Sequence, residues 1–510
     1  MLRRGGVHAT SDQHGRRGAH QYQRRAPEKG VLYKVLQEHL GAFVAAANEA
    51  GDGLPAFVHK EFKGYLSCGV LAHGFARFKC ASCPFARWVP RNCKGRGFCA
   101  SCGGKRMTSL AANLVDGVIP FVPVRQFVLS LPHRLRYLLA YDHDRCTAVL
   151  RIFIRALMSF YRRRARECGN CDRRTGTITF IQRFGSACNL NIHFHVVALD
   201  GVFFETADGQ LRFEEAAAPT EQELERLVTA TRDRVQRHLL RMGVQRDDHE
   251  QEVDPVAEAS NVLASCYAGS VQGRQVLGRR RGAKLQRVGA DPRASWRDIK
   301  RKLHAHVDGF DLDASRRIRA QRHDMRGRLE DLLRYCARPP ISEQRLSLDA
   351  NGRVTLRLKT PWHDGSTHIV HEPLDLLSKL AALVPRPQKN LVLYHGVLAA
   401  NAAWRERVVA FGRPNADGAR EPSQEGEGGA PLRLPRPMRQ QWAEMMRRAF
   451  DIDVLDCPKC GGRLRLIAFI MDRSTLRKLL GHAKLPTEPP GEAHARDSPP
   501  EHEDPFDDVA

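Results

Sequence analysis

An α/β (α+β) fold is predicted by three features. β-rich runs in the middle of the chain alternate with long stretches of helical periodicity, a His-x-His pair sits inside the most apolar of those runs, and a basic, cysteine-rich segment precedes them. At 510 residues with 42% hydrophobic side chains, the chain has room for two to four domains and a sizeable core. The 81 Lys and Arg against 57 Asp and Glu give a net charge of +24, so a polyanion is the expected partner. No apolar run approaches the length of a membrane span, and the first residues carry charges without an apolar core, which predicts a cytoplasmic protein with no membrane partner. In that compartment, 14 cysteines, several in Cys-x-x-Cys pairs, point to metal rather than disulfides.

Taken in order, residues 1–30 are rich in Arg, Gly and His and are expected to be a disordered basic arm. Within 31–110, Leu32, Val35, Leu36, Leu40, Phe43 and Val44 recur at helical spacing, and a cysteine module follows. Its pairs Cys80-x-x-Cys83 and Cys99-x-x-Cys102, fifteen residues apart, have the spacing with which four thiolates close a tetrahedron around Zn²⁺. Cys68, His73 and Cys93 are further candidates for a second site, and the sequence leaves the pairing open. Basic residues among these ligands, including Arg91, Lys94 and Arg96, make a DNA-facing surface the functional reading; solvated charges on a zinc-stabilised domain are the plainer one.

The run Val122 to Leu131 is a strand ended by Pro132, and Leu135 to Arg166 reads as one helix. Thr177 to Phe184 and Ile192 to Leu199 are the next strands. Strand alternation puts His193 and His195 on one face and Phe194 on the other, and both faces are largely apolar, as in a central strand. Gln182 stands in a row with Ile178, Phe180 and Phe184, where a buried amide needs a partner that a cation held by the histidines would supply. Asp200-Gly201 is a turn signal and Thr220 to Met242 a helix. No G-x-x-x-x-G-K-[ST] occurs, so a P-loop ATPase is not expected.

In Arg326 to Ser342, Leu329, Leu332, Leu333 and Cys336 form the apolar face of a helix stopped by Pro339 and Pro340. Tyr335 lies in its last turn between Arg334 and Arg338, where guanidiniums can hold a phosphodiester and favour a phenolate. Residues 346–412 contain a hairpin turning at Asn351-Gly352, 413–437 form a Gly/Pro/Glu-rich linker, 438–475 carry the half zinc knuckle Cys457-x-x-Cys460, and 476–510 are an acidic, disordered tail. The knuckle lacks two ligands, which His482, a partner chain or no metal at all could answer.

Six segments in this order, CKGRGFCASC, LSLPHRLRYLL, QRFGSACNLNIHFHVVALDGVF, RYCARPPIS, LVLYHGVLA and CPKCGGRLRLIAFI, resemble the transposases of the insertion-sequence ninety-one (IS91) family, rolling-circle elements of the HUH-tyrosine nuclease superfamily. The resemblance runs from about residue 60 to 472. It implies an HUH-type nuclease domain over 118–345 with a mostly antiparallel central sheet flanked by helices. It further implies Mg²⁺ or Mn²⁺ on His193 and His195 with a third ligand, for which Gln182, on the strand before the histidines, is the first candidate and a side chain near the tyrosine helix the alternative, and Tyr335 attacking single-stranded DNA at the element's ends to give a 5′-phosphotyrosine. Founding members resemble a Tyr-x-x-x-Tyr pair; here Asp331 stands four residues before Tyr335, which looks like the single-tyrosine branch. Host replication proteins are expected partners, and the nucleoid the expected place. Two rival readings remain: a zinc-dependent DNA-binding regulator without nuclease activity, and a metallohydrolase in which His193 and His195 activate water without a covalent intermediate.

Overall fold

The computed structural model describes residues 22–165, 172–243, 254–278, 280–291, 302–414 and 442–491. Cys168 and Cys171, residues 1–21 of the expected 1–30 basic arm, 415–437 of the expected linker and 492–510 of the expected disordered tail lie outside the described residues, while the start of that tail is not disordered but helical over Arg473–His482, because Leu476 and Leu480 are buried. The chain forms two compact units. The smaller takes its described residues from 22–25, 71–91 and 442–487, and the larger takes the remainder. The expected 31–110 module is therefore divided between them, and the C-terminal Cys-x-x-Cys segment folds with residues 71–91.

The larger unit is built on a seven-stranded antiparallel sheet. Its order is Val392–Gly396, Gly176–Phe184, Leu190–Leu199, Val124–Ser130, Phe310–Asp313, His304–Val307, with Arg317–Ile318 also pairing Val124–Ser130. The histidine strand Leu190–Leu199 has neighbours on both sides, which is why both of its faces had to be apolar. One face packs towards the helix His143–Arg164, where Phe127 meets Tyr161 edge-on at 6.2 Å. On the other, Ile178, Phe180, Val197 and Leu199 share a core with Leu329, Leu332, Leu333 and Cys336 of the tyrosine helix Arg326–Ala337. The predicted apolar face of that helix is thus the face it buries.

A third layer fixes the tyrosine helix in turn. Helix Ala100–Gly117 contributes Ala111, Leu114 and Val115 to the same core, and the buried Arg326 guanidinium donates to Pro120 O at 3.1 Å and Ile119 O at 3.0 Å just beyond that helix's end. The single helix expected from Leu135 to Arg166 is two, His133–Tyr141 and His143–Arg164. Asp142 breaks it because its carboxylate accepts from Arg145 N and caps the second helix. The predicted hairpin pairs Leu346–Leu348 with Val354–Arg357 in a four-stranded sheet with His368–His371 and Gln286–Val288.

The smaller unit is a three-stranded antiparallel sheet, Leu464–Ile470, Phe75–Cys80 and Ala86–Pro90 in that order. Phe75 stacks on Trp88 at 4.8 Å, and Leu476 and Leu480 of helix Arg473–His482 close over Phe75 and Leu71. Among the described residues no helix is long and apolar enough to cross a membrane.

Candidate active site and metal centres

Strand register assembles the first site. Gln182 pairs with His193 and Phe180 with His195 on one side, while Val128 pairs with His195 on the other. Directly paired residues point to the same face, so Gln182, His193 and His195 converge under the tyrosine helix. Gln126, two residues from Val128, joins them there. All four are buried.

The two histidines face each other through their Nε2 atoms at 3.1 Å. His193 Nδ1 lies 2.9 Å from Asn191 O, which can only accept, so that nitrogen carries the proton and Nε2 offers a lone pair. His195 Nδ1 lies 2.9 Å from the Gln126 side-chain amide nitrogen, which also reaches Cys336 Sγ at 3.2 Å. With that amide donating, His195 Nε2–H donates to His193 and the pair is satisfied without a cation. With the amide turned so that its oxygen accepts from Nδ1–H, both Nε2 lone pairs are free. Cys336 suits either orientation, because burial pushes its thiol up to about 12 and keeps S–H available as a donor. Burial also pushes His193 down to about 4 and His195 well below the ordinary imidazole range, leaving two neutral rings at neutral pH.

Gln182 supplies the test of fit for a cation. Its amide nitrogen donates to Cys336 O at 2.9 Å, and its Oε1 is buried without a hydrogen-bond partner. An orphaned amide oxygen beside two neutral imidazoles is a donor set for a divalent cation.

Tyr335 stands over this group. Its ring meets that of His195 edge-on, with centroids 5.7 Å apart, and 42% of the residue is exposed. Arg338 lies over the phenol ring at 4.6 Å and Lys359 at 5.5 Å. Arg334 does not join them: it is turned to Glu330 on its own helix, because a residue four positions away is its nearest anion. In place of the expected pair of guanidiniums, Arg334 and Arg338, the phenol is flanked by the Arg338 guanidinium and the Lys359 ammonium. Asp331 is exposed on the outer side of the helix.

The cysteines group differently from the expected Cys80, Cys83, Cys99 and Cys102. One cluster is Cys68, Cys93, Cys99 and Cys102; the other is Cys80, Cys83, Cys457 and Cys460. His73 belongs to neither. The reason is local. Ala86–Pro90 turns back to pair with Phe75–Cys80 and carries the first knuckle into the smaller unit's sheet, whereas Cys99 lies at the start of helix Ala100–Gly117. All eight are free thiols. Within the first cluster Sγ separations are 3.7 Å (Cys68 to Cys102), 3.4 Å (Cys93 to Cys102) and 3.6 Å (Cys99 to Cys68). In the second they are 3.5 Å (Cys80 to Cys460) and 3.6 Å (Cys83 to Cys457). A Zn–S bond of about 2.3 Å gives a tetrahedral edge of about 3.8 Å, so both clusters have the dimensions of a zinc site. Arg91, Lys94 and Arg96 are exposed, with Arg96 N held by Glu61 at 3.2 Å.

Sequence reasoning missed Gln126 and Lys359. Gln126 carried the same signal as Gln182, a polar amide in the apolar row Val124, Val128; Lys359 carried none.

With this geometry in place, the comparisons agree in kind. Residues 35–131 match the family described as "Transposase zinc-binding domain", and residues 176–405 match the family described as "Putative transposase". No curated protein and no solved structure matches the chain. The chain is a transposase, a DNA-cleaving enzyme whose partner is DNA, with cysteine clusters suited to zinc. Among transposases it is IS91-like.

Proposed function

We propose that the chain is a rolling-circle transposase of the HUH-tyrosine type that cleaves and rejoins single-stranded DNA at the ends of its element through Tyr335. The observation that carries this is the position of the exposed Tyr335 phenol, edge-on to His195 and above the unpartnered Gln182 oxygen. Bound at His193, His195 and Gln182, Mn²⁺ or Mg²⁺ would supply Lewis-acid polarisation of the scissile phosphate. Imidazole donors favour Mn²⁺ of the two.

The chain's own residues do the rest. Arg338 and Lys359 hold the phosphate against the phenol, their charges opposing the anion. Tyr335 Oη attacks phosphorus and gives up its proton to solvent; the P–O3′ bond breaks, and O3′ leaves and takes up a proton. A 5′-phosphotyrosine and a free 3′-OH result. Attack by a 3′-OH on that linkage reverses the exchange and returns the phenol, so rejoining needs no nucleotide hydrolysis. With Asp331 in place of a second tyrosine, one phenol serves the site.

The test is incubation of purified protein with end-labelled single-stranded oligonucleotides covering the element's termini, with Mn²⁺ or with EDTA, beside Tyr335→Phe. A denaturant-resistant adduct that needs metal and disappears in the variant is the expected result. Nicking that persists in Tyr335→Phe without an adduct would instead identify a water-activating hydrolase, and DNA binding without either would identify a regulator.

A further inference from the structure

The second cysteine cluster draws its ligands from both ends of the chain. Cys83 and Cys457 are 374 positions apart and Cys80 and Cys460 are 380 apart, yet their sulfurs lie within tetrahedral reach. Only Cys80 and Cys83 lie inside the matched zinc-binding domain, which ends at residue 131 and already contains all four members of the first cluster. A pair of ligands is thus left over in that domain and is completed from far outside it.

Local backbone shows two knuckles built for one ion. Cys80 N donates to Phe85 O at 2.9 Å and Cys457 N to Gly462 O at 2.8 Å, closing each Cys-x-x-Cys loop, and Ser82 N points at Cys80 Sγ at 3.4 Å. Gly461 has φ +69°, the left-handed region that a tight knuckle needs and a side chain resists. Ala81 N donates to Arg463 O at 3.1 Å, tying the two loops together.

The apolar core beside the cysteines is small. Around the cluster, the buried core residues are Cys80, Cys457 and Leu464, while Leu466, Ile467 and Phe469 of the same strand are exposed. Closing so long a loop costs chain entropy, and a small core offsets little of it. Metal coordination by four thiolates supplies the missing stabilisation, as in small zinc-dependent folds. The two clusters also differ in access: Cys68, Cys99 and Cys102 are buried, whereas Cys460 is exposed and Cys83 half-buried.

We propose that Cys80, Cys83, Cys457 and Cys460 bind a second zinc ion that joins the C-terminal segment to the N-terminal knuckle, and that this ion is released before the one held by Cys68, Cys93, Cys99 and Cys102. The smaller unit then forms only in a chain that carries both segments, and a transposase shortened before Cys457 lacks it.

Zinc content of the full-length protein, with release by a chelating dye followed in time, tests this independently of any nuclease activity. Two zinc ions per chain leaving in two phases are expected. Cys457→Ser/Cys460→Ser and Cys80→Ser/Cys83→Ser should each hold one ion and lack the fast phase, and combining all four changes should remove no more. Retention of both ions in either double variant, or a single ion in the native protein, overturns the proposal. Co²⁺ titration of the native apoprotein guards against misfolded variants: two tetrahedral thiolate sites per chain support the split site, and one equivalent refutes it.

Discussion

Gln182 and His193 stand opposite each other on neighbouring antiparallel strands, and the Gln182 amide that faces the histidine is fixed by donation to Cys336 O at 2.9 Å. One side chain therefore joins the imidazole pair to the helix that carries Tyr335, and its free oxygen is aimed by a bond its nitrogen makes. In the proposed mechanism, metal binding and tyrosine placement share this side chain.

Gln182→Ala should therefore lower Mn²⁺ affinity on the order of 10–100-fold and reduce adduct formation even at saturating metal. Gln182→Glu keeps an oxygen donor and should recover binding while losing the tie to Cys336. Calorimetric Mn²⁺ titration separates the two; equal affinity in wild type and Gln182→Ala would remove Gln182 from the site.

Gln126 sets the proton on His195. An acceptor at this position holds His195 as the Nδ1–H tautomer and frees Nε2, so Gln126→Glu should tighten Mn²⁺ binding. Gln126→Leu takes the partner away and should weaken it on the order of 10-fold. Unchanged affinity in both variants would show that Gln126 serves packing alone.

Much of this arrangement was legible in the sequence. Alternation placed His193 and His195 together, and an amide in an apolar row marked Gln182, because strand geometry is local and a buried polar group must be answered. What local rules could not give was pairing at a distance. The Cys-x-x-Cys spacing suggested the nearest four thiolates, but sheet pairing between Phe75–Cys80 and Leu464–Ile470 partnered Cys80 and Cys83 with Cys457 and Cys460. Lys359 reached Tyr335 in the same way, from a loop whose sequence has no signal. Asp200, read as a turn residue, is a buried anchor.

Acid should weaken the metal-free site. His193 is held at about 4 by burial, with the charges of Arg338 and Arg136 adding to the effect, against about 6.5 in the unfolded chain. As pH falls, the unfolded state takes up the proton first, so the contribution is complete above about 6.5 and is lost as pH drops towards 4. In EDTA, urea unfolding of the larger unit should lose more stability over this window in wild type than in His193→Gln. Parallel losses in both proteins would assign the acid sensitivity elsewhere.

The first zinc cluster should act on the tyrosine through packing. Cys99 and Cys102 lie at the start of helix Ala100–Gly117, which shares a core with the tyrosine helix, and a Cβ on Gly103 would come within 2.8 Å of Pro339. Gly103→Val should therefore displace the end of the tyrosine helix and cut adduct yield several-fold with zinc content unchanged. Unchanged yield would separate this helix from tyrosine placement.

Asp200 carries the heaviest structural load beside the histidine strand. Its carboxylate, 1% exposed, accepts two bonds from Arg125 at 3.1 Å, one from Arg317 Nε at 2.6 Å and one from Tyr161 OH at 2.9 Å. Gly201 follows because a Cβ there would collide with the Glu214 carbonyl oxygen. Arg125 is 2% exposed and, among the described residues, its remaining bond is to the Ala314 carbonyl, so Asp200→Ala strands a guanidinium in the interior and should cost about 3–5 kcal/mol. Arg317→Ala leaves Asp200 still bound by Arg125 and Tyr161 and should cost less, because the charge it abandons keeps a two-bond guanidinium partner and a hydroxyl donor. Thermal unfolding of the two variants should thus rank Asp200→Ala well below Arg317→Ala. If the two midpoints fall together, the carboxylate is not the centre of the network, and the histidine strand is held by its sheet neighbours alone.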